Sequence, residues 1–276
     1  AGFGGGTAFL ALQRPLALGS TLPDWTCNRQ ELFDPDGRRV LAARFGRQAG
    51  PGLDPCAAIA TSLRLGEGES AECVFYLGHG ATAELAQAEA ADALASDAEQ
   101  RELAVLDHWD DLLGAVRVRT PDPLFNGLVN HWLLYQTLAC RLWARAGFYQ
   151  AGGAFGYRDQ LQDAMALAST APGLLRRQLL LAASRQFAEG DVQHWWHPPT
   201  GAGVRTHMSD DLLWLPHATL HHMAVSGDDS VLDEMLPFIE GEALPADKED
   251  AYFAPKVGPQ WVSLYEHCAR ALDHSL

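Results

Sequence analysis

Cysteine is sparse and unpaired in this chain. Cys27, Cys56, Cys73, Cys140 and Cys268 include no Cys-x-x-Cys spacing, and their odd number cannot close into a full set of disulfides. That excludes a small disulfide-framed secreted module and reads as the reduced thiols of a cytoplasmic protein. Positive charge is also short, with 20 Lys and Arg against 35 Asp and Glu and a net charge of −15. Such a surface repels nucleic-acid phosphates and anionic lipid head groups, so no nucleic-acid partner is expected. No window approaches the ~20 consecutive apolar residues of a membrane-spanning helix. P-loop, dinucleotide-binding and nucleophile-elbow motifs are missing, which removes the usual nucleotide-dependent and serine-hydrolase readings. There is no initiating Met or signal peptide, and residues 269–274 stop inside a helical pattern with no Gly after it. Both ends are therefore expected to be cut from a longer protein.

What is present is globular. The 276 residues are 47% hydrophobic and 20% charged, enough for one large core or two modest ones. Residues 1–80 are rich in Gly and Pro and carry short apolar runs at 7–12, 57–63 and 73–78, with a turn-like 65–69 segment between two of them. Strands at this spacing predict part of a β-sandwich. Residues 81–113 hold no Gly or Pro, and Leu103, Leu106, Trp109 and Leu113 follow helical spacing, so a helical linker is expected over 81–120. From 121 to 276 the pattern predicts helices at 124–136 (with Leu124, Leu128, Val129, Trp132, Leu133 and Gln136 on one face), 174–187, 210–225, 230–239 and from about Ser263. The connections are long and rich in Gly, His and Trp. Helical hairpins with long aromatic loops at one end predict an α/α barrel with a sugar site, within an α+β multidomain chain.

Three clusters can carry chemistry. In the first, a glycine-rich loop from Gly152 runs into a helix start holding Arg158, Asp159, Gln162 and Asp163. Arg158 and Gln162 are an i,i+4 pair, as are Asp159 and Asp163, giving adjacent polar stripes that can hold vicinal sugar hydroxyls or simply cap and pair with each other. In the second, Trp195 and Trp196 stand between His194 and His197 before two prolines. Adjacent Trp side chains make platforms for pyranose faces or an aromatic structural loop. The two His have neither the helical spacing nor the third ligand of a zinc site, so no metal is expected. In the third, Asp210 and Asp211 precede a helix, where they can cap it or face a cleft. His221-His222 and Asp228-Asp229 read as solvated surface and turn chemistry.

Taken in this order, the clusters resemble family 94 of the glycoside hydrolases. The matching stretches are 130–136, 143–145, 153–163, 185–199, 209–216 and 263–268, and the likeness is most specific between 120 and 220. Within the family it runs to the phosphorylase-like region of cyclic β-1,2-glucan synthases. The resemblance implies a β-sandwich, linker helices and then the first half of an (α/α)6 barrel. It implies inverting phosphorolysis of β-linked glucans, with inorganic phosphate as co-substrate and no other cofactor. It also implies that Arg158 and Asp163 hold the non-reducing-end glucose, that Asp210 and Asp211 lie at the pocket mouth, and that Arg145 contacts phosphate. The family's catalytic acid sits in a Trp-Asn-Asp motif that this sequence lacks, so the resemblance places the acid beyond Leu276. His207-Met208 departs from the Arg-Cys commoner there.

Partners expected on this basis are a β-glucan oligosaccharide or polysaccharide and phosphate, in a parent that is membrane-tethered or dimeric, at the cytoplasmic face of the inner membrane or free in the cytoplasm. Three other readings stay open at this point. One is a carbohydrate-binding module without catalysis. A second uses Asp211 or Asp210 as the acid. A third is a helical scaffold, which the Trp-rich polar loops disfavour.

Overall fold

The computed structural model describes residues 6–13, 23–40, 44–143 and 152–276. Contacts divide the chain into two compact units, Ala1–Val105 and Leu106–Leu276.

The first unit contains two antiparallel ribbons and a helix. Strand β1 (Thr7–Gln13) pairs with β4 (Val74–Gly80), and β2 (Asp24–Asn28) pairs with β3 (Pro55–Ala60). Helix α1 (Ala83–Ala95) starts where Thr82 Oγ1 accepts the Leu85 N–H at 3.3 Å, and it buries Ala86 and Ala93. Those alanines lie two turns apart on one stripe, the spacing that seats a helix closely on a ribbon. Gly80 belongs to that contact, since a Cβ there would sit 2.3 Å from the Ala86 nitrogen. Gln13 ties the ribbon to the end of α1 through its amide, which donates to the carbonyls of Leu94 (3.0 Å) and Ser96 (2.9 Å). Helix α2 (Ala98–Gly114) carries the division between the units.

In the second unit, the stretch 123–143 alternates α3 (Pro123–Gly127) and α4 (Leu133–Gln136) with wide π turns at Leu128–Trp132 and Thr137–Trp143. Each π turn adds a residue and slips the phase of a 3.6-residue pattern. The face predicted from Leu124, Leu128, Trp132 and Leu133 is consequently exposed. Leu138 is fully buried instead, and Leu134 packs beside Leu113.

Four helices enclose the main core: α5 (Tyr157–Met165), α6 (Pro172–Ala183), α7 (Trp214–Ser226) and α8 (Leu264–Ser275). Tyr157, Leu161, Leu175, Leu179, Leu215 and Leu264 meet there without exposure. Pro172 opens α6 and Ser263 Oγ caps α8 at the Glu266 N–H, as the start signals predict. The αL residue Gly227 stops α7.

Between the helices lies β structure that helical periodicity does not anticipate. Strands β5 (Phe155–Gly156), β6 (Gln193–His197), β7 (Ala202–Thr206) and β9 (Asp250–Phe253) form a four-stranded antiparallel sheet in that order. The helix predicted at 230–239 is a 3-10 turn, Ser230–Asp233, followed by strand β8 (Met235–Glu240), which pairs with β10 (Lys256–Ser263). Pro237 cannot supply the N–H that a continuing helix needs, and a short apolar run fits either element by periodicity alone.

A buried guanidinium fastens this layer. Arg205 lies on Phe187 (3.8 Å to the ring centre) and donates to both oxygens of Asp191 at 2.6 Å and to the Glu242 carbonyl at 3.1 Å. Among the described residues no helix is long and apolar enough to cross a membrane.

Candidate functional site

The glycine-rich loop is held at its end by a buried glutamine. Gln160 Oε1 accepts the Gly156 N–H, and its amide donates to the Arg141 carbonyl at 3.3 Å. This fixes the start of α5 and sends its first turn toward β6 and the turn that precedes α7.

Arg158 and Asp159 lie on that first turn. Arg158 Nη1 donates to Asp210 Oδ2 at 3.0 Å, and Arg158 Nε lies 3.6 Å from Asp159 Oδ1. Asp210 holds the Arg158 guanidinium charged, and that same bond pulls the Asp210 carboxyl below its usual range. One turn further along α5, Asp163 accepts from Arg141 Nε at 2.5 Å, and the same guanidinium stands 4.0 Å from Asp159. Arg141 therefore faces both carboxylates of the expected Asp159 and Asp163 stripe, and Asp159 also meets Arg158. Arg141 has no helical phase that would mark it in the sequence, because it lies in a π turn; two carboxylates four residues apart are the available signal. Gln162 is exposed and takes no part in these contacts.

The adjacent tryptophans separate. Strand alternation sends Trp196 into the core at 1% exposure, stacked on Phe155 at 5.3 Å and 12°, with the Arg185 guanidinium 5.4 Å from its ring centre. Its faces are taken, so the expectation of Trp196 as a sugar platform is corrected. Trp195 is half-buried on the opposite face, 5.8 Å from the ring of Tyr252. Gly156, Tyr157, Arg158, Asp159, His194 and Trp195 line a small pocket of about 80 Å³.

Asp210 and Asp211 also diverge, and neither side chain caps the turn that begins α7. Asp210 is half exposed and turned to Arg158. Asp211 is 1% exposed, and its Oδ2 lies 2.6 Å from His194 Nδ1. This bond raises the His194 pKa above its ordinary value against the opposing effect of burial. Tyr157, wholly enclosed, has its hydroxyl pushed well above the ordinary tyrosine range, first by burial. These positions argue against either aspartate as the acid. Asp211 has no exposed oxygen to present, and Asp210 is kept ionised by Arg158.

Of the remaining expectations, Arg145 lies outside the described residues. His222 was read as surface, yet it is 1% exposed, with Nε2 3.4 Å from Asp228 Oδ2. Asp228 also pairs with Arg176 at 3.1 Å, so it is more than turn chemistry. No group of three or more His, Cys, Asp or Glu side chains among the described residues could hold a metal ion.

Arg158, Asp159 and half-buried Trp195 thus set charged hydrogen-bonding groups beside an indole at one pocket, between helices and a small sheet. Residues 108–276 match the catalytic domain of the glycosyl hydrolase 94 superfamily, and residues 2–97 match the glycosyl hydrolase 94 supersandwich domain. The chain belongs to this family. It is 48% identical over 220 residues to the cyclic beta-(1,2)-glucan synthase NdvB of Rhizobium meliloti (strain 1021), a match covering 80% of this chain and 8% of that protein. It is 30% identical over 196 residues to the N,N'-diacetylchitobiose phosphorylase of Vibrio furnissii, covering 61% of this chain and 22% of the relative. It is 31% identical over 126 residues to the solabiose phosphorylase of Paenibacillus borealis, covering 45% and 15%. The chain thus spans well under a third of the length of each of these relatives.

Proposed function

We propose that this chain supplies the sugar-binding wall of a glycoside phosphorylase-type enzyme acting on β-linked glucans. The observation that carries the reading is one small pocket lined by Arg158, Asp159 and half-buried Trp195, with Asp210 holding the Arg158 guanidinium from outside it. Charged donors and acceptors held by one another can grip vicinal hydroxyls bidentately, and an indole covers the apolar face of a pyranose. Relatives named as phosphorylases and as a β-1,2-glucan synthase support the substrate class. We read residues 1–80 as sandwich, 81–120 as linker and 121–276 as the opening helices of an α/α barrel.

In the reaction, a phosphate oxygen attacks the anomeric carbon from the face opposite the leaving group, with inversion. The glycosidic C–O bond breaks, and a carboxylic acid gives its proton to the departing oxygen. Phosphate is already nucleophilic, so no second carboxylate is needed to activate water. Burial of Asp211 and ionisation of Asp210 support placing the acid outside this pocket wall. In the longer synthase-like protein the activity would trim glucan chains and so set their length.

The same observation supports a second reading, in which the chain binds sugar without catalysis. Phosphate release from β-1,2-linked gluco-oligosaccharides, measured on this chain and on the chain extended by its natural downstream sequence, separates the two. Activity in the extended protein alone, reduced at least about tenfold by Arg158→Ala, is the expected result. Activity in the short chain abolished by Asp210→Asn would overturn the placement of the acid. Sugar binding by both proteins with turnover by neither would favour the binding-module reading.

A further inference from the structure

One ionisable pair at the pocket is not accounted for by the wall of Arg158, Asp159 and Asp210. Asp211 is enclosed in the 3-10 turn Asp211–Leu213, beside buried Leu212. His194, on β6, keeps 29% of its side chain exposed and lines the pocket. Their 2.6 Å contact runs from the interior to the pocket wall. We propose that Asp211 is a positioning residue: by accepting the Nδ1 proton it holds His194 as the doubly protonated imidazolium, whose Nε2–H is then aimed as a hydrogen-bond donor at a hydroxyl or ring oxygen of the bound glucosyl unit. The inference rests on the sugar-binding reading above and deepens it.

Four observations support it. First, a buried carboxylate is costly, and a buried ion pair is a poor source of stability compared with apolar packing. Asp211 Oδ1 is buried with no hydrogen-bond partner, so His194 is what holds this charge in place. An arrangement that gains so little for the fold makes sense when its exposed member is used. Second, commitment of Nδ1 to Asp211 leaves Nε2 as the ring's one remaining polar atom, and no described residue accepts from it. Third, the strand that carries His194 is anchored in the interior. Neighbouring Gln193 is buried, with its amide donating to the Gly201 carbonyl at 3.0 Å, and Trp196 is locked in the core.

Fourth, charge selects the ligand. Asp211 acts on the ring from the turn, and Arg158 and Asp159 act on it from α5. In the wider cluster around the pocket, Arg158, Arg141 and protonated His194 stand against Asp159, Asp163, Asp210 and Asp211, three cations against four carboxylates, which leaves one excess negative charge. That disfavours inorganic phosphate and suits a neutral oxygen acceptor.

The test is histidine imidazole NMR on the intact chain, with β-1,2-linked gluco-oligosaccharides as probe. Without sugar, the His194 midpoint should lie above that of an ordinary histidine, because Asp211 accepts from the protonated ring, and Asp211→Asn should lower it. Saturating sugar should raise the wild-type midpoint further, because a ligand accepting from Nε2–H favours the protonated ring. This reading needs no variant, so the proposal stays testable even if Asp211→Asn does not fold. An unchanged midpoint would overturn it.

Affinity by calorimetry should fall about tenfold or more in His194→Gln and in Asp211→Asn, as expected for loss of a charged hydrogen bond. The double variant should bind no worse than His194→Gln alone, because Asp211 acts only through the ring. Additive losses would overturn the positioning role. Binding that depends on Arg158 but is indifferent to His194 and Asp211 would remove this inference and leave the sugar-binding reading intact. No sugar binding by the wild type would remove both, and phosphate binding lost in His194→Gln would replace the sugar donor by an anion site.

Discussion

In residues 1–105 the buried side chains among those described are Ala11, Thr26, Asn28, Ala86 and Ala93, whereas residues 106–276 enclose Trp196, Tyr157, Phe187 and Phe238. Large apolar groups in the first unit lie in solvent instead, with Phe75 at 54% and Leu77 at 80% exposure. One unit is ordered by ladder hydrogen bonds, a few polar braces such as Asn28 to Gln48 at 2.8 Å, and close seating of a helix on a ribbon. The other is ordered by side-chain packing. Two-stranded ribbons are marginal alone, while a packed core can hold strained polar groups at a fixed geometry. It is the second unit that carries the candidate site.

The contrast can be broken or sharpened by measurement. The largest effect is expected from Trp196→Ala, which empties a core position between Phe155 and Arg185. It should cost about 3–5 kcal/mol in urea or thermal denaturation of the second unit. A loss below about 1 kcal/mol would mean that this core is not what orders the unit.

Acid should come next. His267 is fully buried, its Nδ1–H donating to Gln186 Oε1 at 2.7 Å, and burial pushes its pKa down to about 4. The folded state therefore keeps the ring neutral while the unfolded chain takes up a proton below about 6.5. This stabilisation is complete above pH 6.5 and is lost as pH falls toward 4, about 3 kcal/mol in all. Comparing urea midpoints of wild type and His267→Gln at pH 7 and pH 4 isolates it from the carboxylates. An equal acid sensitivity in both proteins would contradict it. His194 works in the opposite sense, since its raised pKa gives stability that is present at low pH and lost as pH rises through the folded value.

The smallest effect is expected in the first unit, where Leu77→Ala should change stability by about 0.5 kcal/mol or less. Amide hydrogen exchange along β4 is the appropriate readout. Strong loss of protection there would show that this exposed leucine is covered in solution.

Particular elements show how far the sequence could be read. The strands at Thr7–Gln13, Pro55–Ala60 and Val74–Gly80 follow from short β-forming runs bounded by turn residues, and α1 follows from its cap and its alanines. Strand Asp24–Asn28 does not announce itself, because the side chains it buries, Thr26 and Asn28, are polar and give no apolar alternation. The 230–239 segment was misread because Val231, Phe238 and Ile239 are spaced for a helix yet are buried by a turn and a strand. Arg158, Asp159 and Trp195 were legible as site candidates from residue type at a loop-to-helix junction and in a Pro-bounded aromatic run. The local sequence around His194 points only to metal ligation, since nothing in it announces Asp211, 17 residues away, as its partner.

By itself, then, the sequence determined the order of a β-rich beginning, a helical middle and a helix-dominated remainder, the family, and the three polar clusters. Local spacing and composition act over a few residues, and each of these features is local. Only the tertiary structure decided which of two adjacent tryptophans faces the pocket, which of two adjacent aspartates is enclosed, and that Arg141 serves Asp163. In each case the choice between neighbours depends on what packs against them from residues 17 to 52 positions away, and a pattern with a period of two or 3.6 residues carries no information about that distance.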